Sequence, residues 1–194
     1  MTNRQIRFIS YICSNLKPPI MENQPTVSRK NIMINFGVLM GFASIIIQLL
    51  IYVFGSVYEP HWGFIVLSVA LTALFIVLGI KKVKDSQGGF LSMGDAIKTG
   101  LGIALISSII YSLYLVIFQH VIEPSYFENL ALLQEQTILE QNPQMTDEQL
   151  EQAKGFAAMF NNSGVNVAIT IVFSLFLGLI ISFFAGLIMK KSEM

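Results

Sequence analysis

Four long stretches of the sequence contain no Asp, Glu, Lys, Arg or His. They are residues 32–57, 62–80, 99–119 and 165–189. An α-helix of about 20 apolar residues crosses the hydrocarbon core of a bilayer. Each of the four stretches has about that length or more. Backbone N–H and C=O groups in lipid must be paired within their own segment, so we expect each stretch to be helical. The sequence therefore predicts an all-α, polytopic membrane protein with four transmembrane helices.

The composition agrees with this prediction and excludes other classes of protein. Charged residues make up 12% of the 194 residues and apolar types 54%, whereas a disordered chain needs the reverse balance. Lys and Arg number 12, and so do Asp and Glu, which leaves no basic surplus for binding nucleic acid. The single cysteine cannot form an internal disulfide or a cysteine-built zinc site. No cofactor is predicted.

The chain is expected to form one membrane domain, residues 31–191, after a cytoplasmic leader, residues 1–30. The first 20 residues do not resemble a signal peptide, because the apolar stretch at 8–13 is too short for the core of one. A more ordinary polar start follows at Met21. Our hypothesis is that translation begins at Met21 rather than at Met1.

The distribution of charge predicts the orientation of the chain. Lys and Arg are enriched in the cytoplasmic loops of membrane proteins. Outside the first 20 residues, all but one of the basic residues lie before the first span, between the second and third, or after the fourth: Arg29, Lys30, Lys81, Lys82, Lys84, Lys98, Lys190 and Lys191. Residues 120–164 carry seven acidic side chains and only Lys154. We therefore expect both termini in the cytoplasm, with net charges of +7 on the inner face and −7 on the outer face of the membrane.

Residues 120–164 are expected to form an amphipathic helical hairpin outside the cell membrane. The first helix spans residues 126–141, and Asn142-Pro143 ends it. Thr146 and Gln149 form the capping box of the second helix. Residues 161–164 are expected to end that helix, with Gly164 just after its last turn. Two interpretations remain: a cap that rests on the bundle or the membrane surface, or a docking surface for an unidentified membrane or periplasmic protein.

The inner loop carries the most distinctive motif. Gly88-Gly89 indicates a turn, and Ser92 is the expected N-cap of the third helix with Asp95 in the capping-box position. Residues 88–100 resemble the best-marked stretch of domain-of-unknown-function family 4199, small bacterial membrane proteins with four predicted helices. The motif positions are Gly88, Gly89, Ser92, Gly94, Asp95, Lys98 and Gly100. Residues 122–126 and the small-residue-rich last helix are also similar to that family. The resemblance implies a topology but no activity.

Small residues recur at helical spacing in three of the spans. Such residues let two helix backbones approach closely in a membrane. They are Gly37 and Gly41 in the first span, Gly100, Ala104 and Ser108 in the third, and Thr170, Ser174, Gly178, Ser182 and Gly186 in the fourth. They predict either close packing within one bundle or a homo-oligomer formed through the fourth helix.

The spans offer few groups that could do chemistry. The lack of ionisable side chains argues against a proton-coupled transporter. Gln48 and Gln119 are expected to form hydrogen bonds between helices or, together with Tyr111, to line a pore. We predict no metal site, although two His and two carboxylates near the outer face could bind zinc if they met: Glu59, His61, His120 and Glu123.

These observations favour a non-enzymatic interaction or accessory protein of the bacterial inner membrane. The alternative is a small-solute channel or facilitator. A lipid-modifying enzyme is a third hypothesis, and only the outer carboxylates, the two histidines, or Asp95 with Lys98 inside could serve it. The lipid bilayer is a partner in each case.

Overall fold

The computed structural model describes residues 28–55, 57–59 and 61–190. These residues form six α-helices, and a π-helical turn, Phe118–Ile122, directly extends the third of them. The helices are α1 (Arg29–Phe54), α2 (Trp62–Ser86), α3 (Met93–Ile117), α4 (Tyr126–Gln141), α5 (Asp147–Phe160) and α6 (Ser163–Met189). Most of the leader, the start-site hypothesis at Met21 and the end of the membrane domain at Lys191 lie outside the described residues.

Four of these helices are long and apolar enough to cross a membrane. They are α1, α2, α3 with its π-helical turn, and α6, and their mean hydropathy is 2.3 to 2.7. The prediction of an all-α protein with four apolar spans is confirmed. The fold is that of a multi-pass membrane protein.

The helices do not end where the uncharged stretches end. α1 stops at Phe54 rather than at residue 57, and α2 continues past residue 80 to Ser86. α3 begins at Met93 rather than at residue 99. A helix is defined by its backbone hydrogen bonds, and these continue through residues whose side chains are charged. The last turns of α2 therefore carry three lysines: Lys81, Lys82 and Lys84.

α3 lies at the centre of the bundle and contacts all three other spans. Arg29 at the start of α1 forms an ion pair with Asp95 at the start of α3, so both helices begin at the same end of the bundle. The last turns of α6 also lie there, because Gly186 packs near Ala96 of α3. We call this end, with the lysines of α2, the basic end. The opposite end, with Glu59, Glu123 and the α4–α5 pair, is the acidic end.

Small residues hold α3 and α6 against each other. A Cβ on Gly178 would lie 2.7 Å from the Cβ of Ala104, and one on Gly186 would lie 3.0 Å from the Cβ of Ala96. Gly100 packs in the same way against Ser182. The two backbones therefore approach as closely as small side chains allow.

α1 packs on a different part of α3 through its own glycines. A Cβ on Gly37 would lie 2.7 Å from the Cβ of Ile106, and one on Gly41 would lie 3.0 Å from the Cβ of Ile110. The small residues predicted for helix packing on α1, α3 and α6 are thus used in contacts inside one chain.

The tightest core lies in the half of the bundle next to the basic end. Its side chains are almost completely buried and come from α1, α2, the inner loop and α3: Ile32, Ile76, Ile80, Val83, Leu91, Ala96 and Ile103. Side chains packed at this density leave little space for water. We call these seven side chains the dry core, because they are shielded from solvent.

α4 and α5 pack against each other at the acidic end. Gln134 and Asn161 exchange side-chain hydrogen bonds, the shorter of which is 3.1 Å, and Lys154 pairs with Glu135 at 3.3 Å. The Glu135 hydrogen bond raises the pKa of Lys154. The predicted capping box of Thr146 and Gln149 is present. Neither helix contains a buried residue.

The prediction that Gly164 lies just after the last turn of the second outer helix is wrong. α5 ends at Phe160, and Asn162 caps α6 by accepting a hydrogen bond from the Gly164 N–H at 2.8 Å. An N-cap side chain satisfies a free N–H of the first turn, so a new helix starts at once. Gly164 therefore lies in the first turn of α6.

We expect Gly178→Ala to destabilise the bundle by about 1–3 kcal/mol, the usual cost of overpacking a core. The added methyl group would meet the Cβ of Ala104. Thermal unfolding in detergent measures the loss, and Ala104→Gly in the same chain should restore stability by removing the other methyl group. Gly155→Ala is the matched control, because a Cβ there meets no atom within 4 Å. Equal stability of the two single variants would contradict the close approach.

Candidate binding cavity

A cavity of about 330 Å³ lies between the four spans, in the half of the bundle next to the acidic end. Its walls carry hydroxyl and amide groups from all four helices. These polar side chains are Ser44, Gln48, Ser68, Thr72, Ser107, Ser108, Tyr111, Thr170 and Ser174. None of them is charged at neutral pH. The other walls are apolar, so the cavity combines neutral polar groups with hydrocarbon from Met40, Ile47, Ile169, Phe173 and Leu177.

Most of these hydroxyl groups already donate their hydrogen to a backbone carbonyl. Ser44 donates to Met40 at 2.9 Å, and Ser68 donates to Phe64 at 2.8 Å. Three others do the same: Thr72 to Ser68, Ser108 to Leu105, and Ser174 to Ala104. The Ser174 bond joins α6 to α3. The other four go to the carbonyl about one turn back in the same helix, which lets Ser and Thr sit in apolar helices. The hydroxyl oxygens keep free lone pairs, so the cavity offers mainly acceptors.

Gln48 and Tyr111 form a hydrogen bond beside this cavity. The Tyr111 hydroxyl donates to Oε1 of Gln48 at 3.3 Å, which joins α1 to α3. Both residues belong to the predicted pore-lining set, and the structure places them together. Gln119, the third member of that set, lies at the acidic end against a different cavity.

An apolar cavity of about 280 Å³ adjoins the polar one on the side of α2 and α6. The two share Ser68, Thr72, Phe173 and Leu177. The remaining walls are Ile51, Phe64, Ile65 and Val69. More than half of the Ile65 side chain is exposed, on the surface that faces lipid when the four spans cross a bilayer. The combined space therefore has a polar inner part and an apolar outer part.

Glu123 organises the acidic end. Its carboxylate accepts hydrogen bonds from the hydroxyl of Tyr52 at 3.1 Å and from that of Tyr58 at 3.5 Å. The amide of Asn129 donates both to Glu123 and to Tyr58. Tyr126 stacks on Tyr58 with ring centroids 5.6 Å apart, and burial raises the pKa of Tyr126. This cluster ties the end of α1 and the α1–α2 link to α4.

The structure does not bring the four candidate zinc ligands together. Glu123 is held by tyrosines, and the imidazole of His61 accepts a hydrogen bond from the Gly63 N–H at 3.2 Å. His120 lies against the same cavity as Gln119. Within 28–55, 57–59 and 61–190, no three His, Cys, Asp or Glu side chains are placed to hold a metal ion.

The inner-loop motif connects α2 to α3 at the basic end and contacts the start of α1. Gly88 and Gly89 have φ of 70° and 91°, which only glycine adopts easily, and they end α2. Ser92 caps α3 as predicted, accepting from the Asp95 N–H at 3.0 Å. The Asp95 carboxylate accepts from the Ser92 hydroxyl and pairs with Arg29. The motif therefore fixes where α1 meets α3.

Sequence reasoning did not identify four of the cavity residues: Ser44, Ser68, Thr72 and Ser107. The sequence does contain a signal that could have identified two of them, because Ser68 and Thr72 lie one turn apart in an otherwise apolar stretch. Hydroxyl groups at that spacing share one face of a helix. Only the packing of the four helices shows that these faces converge.

The chain belongs to the family described as "Protein of unknown function (DUF4199)", whose family model matches residues 35–191. The match includes the inner-loop motif, the cavity and the acidic end. It confirms the resemblance seen in the sequence. Comparisons with curated proteins and with solved structures give no match.

We expect Tyr111→Phe to cost more stability than the double change Tyr111→Phe with Gln48→Leu. The single change leaves the Gln48 amide without its donor, whereas the double change removes both polar partners. Hydrogen bonds between membrane helices contribute about 0.6 kcal/mol on average, which sets the expected coupling. A double-mutant cycle of thermal unfolding in detergent measures it. Additive effects of the two changes would show that the bond contributes nothing.

Proposed function

We propose that this member of the family is a non-enzymatic accessory protein of the bacterial inner membrane that holds an uncharged lipid alcohol between its spans. The observation that carries the proposal is the cavity of about 330 Å³ lined by neutral hydroxyl and amide groups. The adjoining apolar cavity supports it, because it supplies a place for a hydrocarbon chain.

The chemistry of the walls selects the ligand. The hydroxyl oxygens of Ser44, Ser68 and Thr72 can accept hydrogen bonds while their hydrogens are engaged by carbonyls. A group that donates, such as the hydroxyl of a lipid alcohol, complements them. A charged headgroup would be buried with no opposite charge beside it, which is costly. The apolar walls at Ile65 and Val69 suit an acyl or prenyl chain.

The proposed orientation places the basic end in the cytoplasm. Its support is the separation of charge, with the lysines of α2 at one end and the glutamates of α4 and α5 at the other. Basic residues are retained on the cytoplasmic side during insertion. Both termini are then cytoplasmic, and the α4–α5 pair is extracytoplasmic.

The α4–α5 pair is proposed to rest on the outer membrane–water interface. Phe156, Met159 and Phe160 leave exposed apolar surface at the end of α5. The span α6 begins three residues after Phe160, so this end of α5 must lie at headgroup level. Aromatic side chains are favourable at that depth. A protein partner would then contact the polar, glutamate-rich face of the pair.

A homo-oligomer through α6 is less favoured than an accessory role as a monomer. The small residues that would form such an interface, Gly178 and Gly186 among them, already pack against α3. The lipid-facing side of α6 carries bulky residues such as Phe176 and Phe184.

A small-solute facilitator is the alternative. The hydrogen-bonded Gln48 and Tyr111 support it, because they add polar groups beside a cavity within the membrane. The dry core around Ile76, Ile80 and Ile103 opposes it, because a solute would have to pass through that core. Solute flux in liposomes at a rate above that of empty liposomes would favour the facilitator.

The orientation predicts where a protease can cut. A cleavage site inserted after Pro143, between α4 and α5, should be cut when protease is added to intact spheroplasts. The same site inserted after Gln87, between α2 and α3, should be cut only in inverted vesicles. The reverse pattern would invert the orientation, and the two insertions serve as controls for each other.

The proposed ligand should co-purify with the protein. Lipid extracted from the protein after purification in mild detergent should contain an uncharged lipid alcohol, enriched over the membrane as a whole. Thr72→Phe, which fills the space shared by both cavities, should lower its amount about tenfold, equivalent to about 1.4 kcal/mol of binding. Val66→Phe is the control on the lipid-facing side of α2. Mass spectrometry of the extract measures both, and equal lipid in the two variants would contradict the site.

A further inference from the structure

The buried polar atoms that lack a hydrogen-bond partner are concentrated next to the acidic end. Among the described residues they are Ser112 Oγ, Tyr114 Oη, Gln119 Nε2 and Oε1, and Ser163 Oγ. Gln119 is only 2% exposed, yet both polar atoms of its amide are unpaired. Leaving such a group unpaired costs about 1–3 kcal/mol, so buried polar groups nearly always have a protein or water partner.

Three of these residues, Ser112, Gln119 and Ser163, lie at or between two cavities. Ser108 lines the polar cavity among the spans, and Ser112 follows one turn later on the same face of α3. Gln119 follows two turns after Ser112, against an open cavity of about 560 Å³ at the acidic end that Ser163 also lines. The three positions on α3 span about 16 Å at the helical rise of about 1.5 Å per residue. One face of α3 thus carries polar groups from the centre of the bundle to its acidic surface.

In the part of the chain that the structure describes, the half of the bundle next to the basic end contains no such unpaired atom. Its buried hydroxyl groups are paired within their own helices: Thr99 donates to Asp95 at 2.7 Å, and Ser182 donates to Gly178. The core around Ile76, Ile80 and Ile103, each with no exposed surface, lies beside them. Close packing of this kind leaves little space for water.

We propose that water fills a path along the Ser108–Ser112–Gln119 face of α3 and connects the central cavity to the acidic surface alone. Water supplies the missing partners of Ser112 and Gln119, as buried water does for unpaired polar groups in other proteins. The path admits small hydrogen-bonding solutes from the acidic side. This proposal rests on the proposed function and deepens it. The hydroxyl of the bound lipid would be in contact with water from the acidic side.

Cysteine modification tests this path. The only cysteine, Cys13, is first replaced by serine, and single cysteines are then introduced as Ser112→Cys, Leu113→Cys and Ile103→Cys. Aminoethyl methanethiosulfonate is added to spheroplasts or to inverted vesicles, with free cysteine on the opposite side as scavenger. The extent of reaction is read from the intact mass of the purified protein.

Ser112→Cys should react about tenfold faster or more from the acidic side than from the basic side, because a thiolate forms only where water solvates it. Leu113→Cys, which is 64% exposed on the lipid-facing surface, and Ile103→Cys in the dry core should stay unmodified. A reaction at Ser112→Cys no faster than at Leu113→Cys, or equal from the two sides, would overturn the proposal.

A blocking change provides the second test. In a chain with Ser108→Cys, the added change Ser112→Phe should abolish modification from the acidic side, whereas Leu113→Phe should leave it unchanged. Thermal unfolding in detergent shows that each variant is folded. Persistent modification of Ser108→Cys behind Ser112→Phe would also overturn the path.

The two proposals can fail separately. Modification is measured in membranes whether or not lipid occupies the cavity, and lipid retention is measured after extraction. Labelling from the acidic side without a retained lipid alcohol would support the path and contradict the ligand. A retained lipid alcohol without labelling would support the ligand and contradict the path.

Discussion

The close approach of α3 and α6 is the contact on which the rest of the structure depends. Gly178 against Ala104 and Gly186 against Ala96 bring the two backbones together. In a membrane the lipid tails are as apolar as the side chains, so close packing replaces the hydrophobic effect as the force between helices. The contact adjoins the buried core next to the basic end, because a Cβ on Gly178 would also lie 3.9 Å from Cδ1 of Ile76. The other half carries the hydroxyl groups that border the central cavity.

The two ends of the bundle are joined by different interactions. At the basic end, Arg29 and Asp95 link the starts of α1 and α3 beside the capped turn of the family motif. At the acidic end, Glu123 gathers tyrosines from the α1–α2 side and Asn129 from α4. Both joints hold charged groups near the ends of the spans, where water is available and their desolvation is small. The charged groups at the two ends thus contribute to the assembly of the bundle.

A polar cavity within the bilayer is costly unless its groups are satisfied. Five of the serine and threonine hydroxyls meet this requirement by donating to backbone carbonyls, and their oxygens keep lone pairs that can accept hydrogen bonds. The unpaired groups lie further along α3, at Ser112 and Gln119, where a second cavity opens at the acidic end. An uncharged lipid in the first space and water along the second would satisfy both sets of groups.

Much of this architecture can be predicted from the sequence. The uncharged stretches predict the spans because hydrocarbon permits only internally bonded backbone, and Thr146 and Ser92 predict helix starts because their side chains cap free N–H groups. The sequence also identifies the small residues, since their spacing is local. Gly164 is misassigned because glycine suits a helix end equally well in the sequence, whereas the Asn162 side chain restarts the helix.

The sequence by itself determined the number of spans, the separation of charge and the residues able to pack closely, because each depends on residue type and local spacing. Only the tertiary structure decided which helix those small residues contact, that Gln48 meets Tyr111 while Gln119 does not, and that the hydroxyl groups of four helices face one space. Such relations join residues more than 60 positions apart, and helix rotation and crossing fix them. For that reason the candidate cavity, unlike the spans, could be found only in the folded chain.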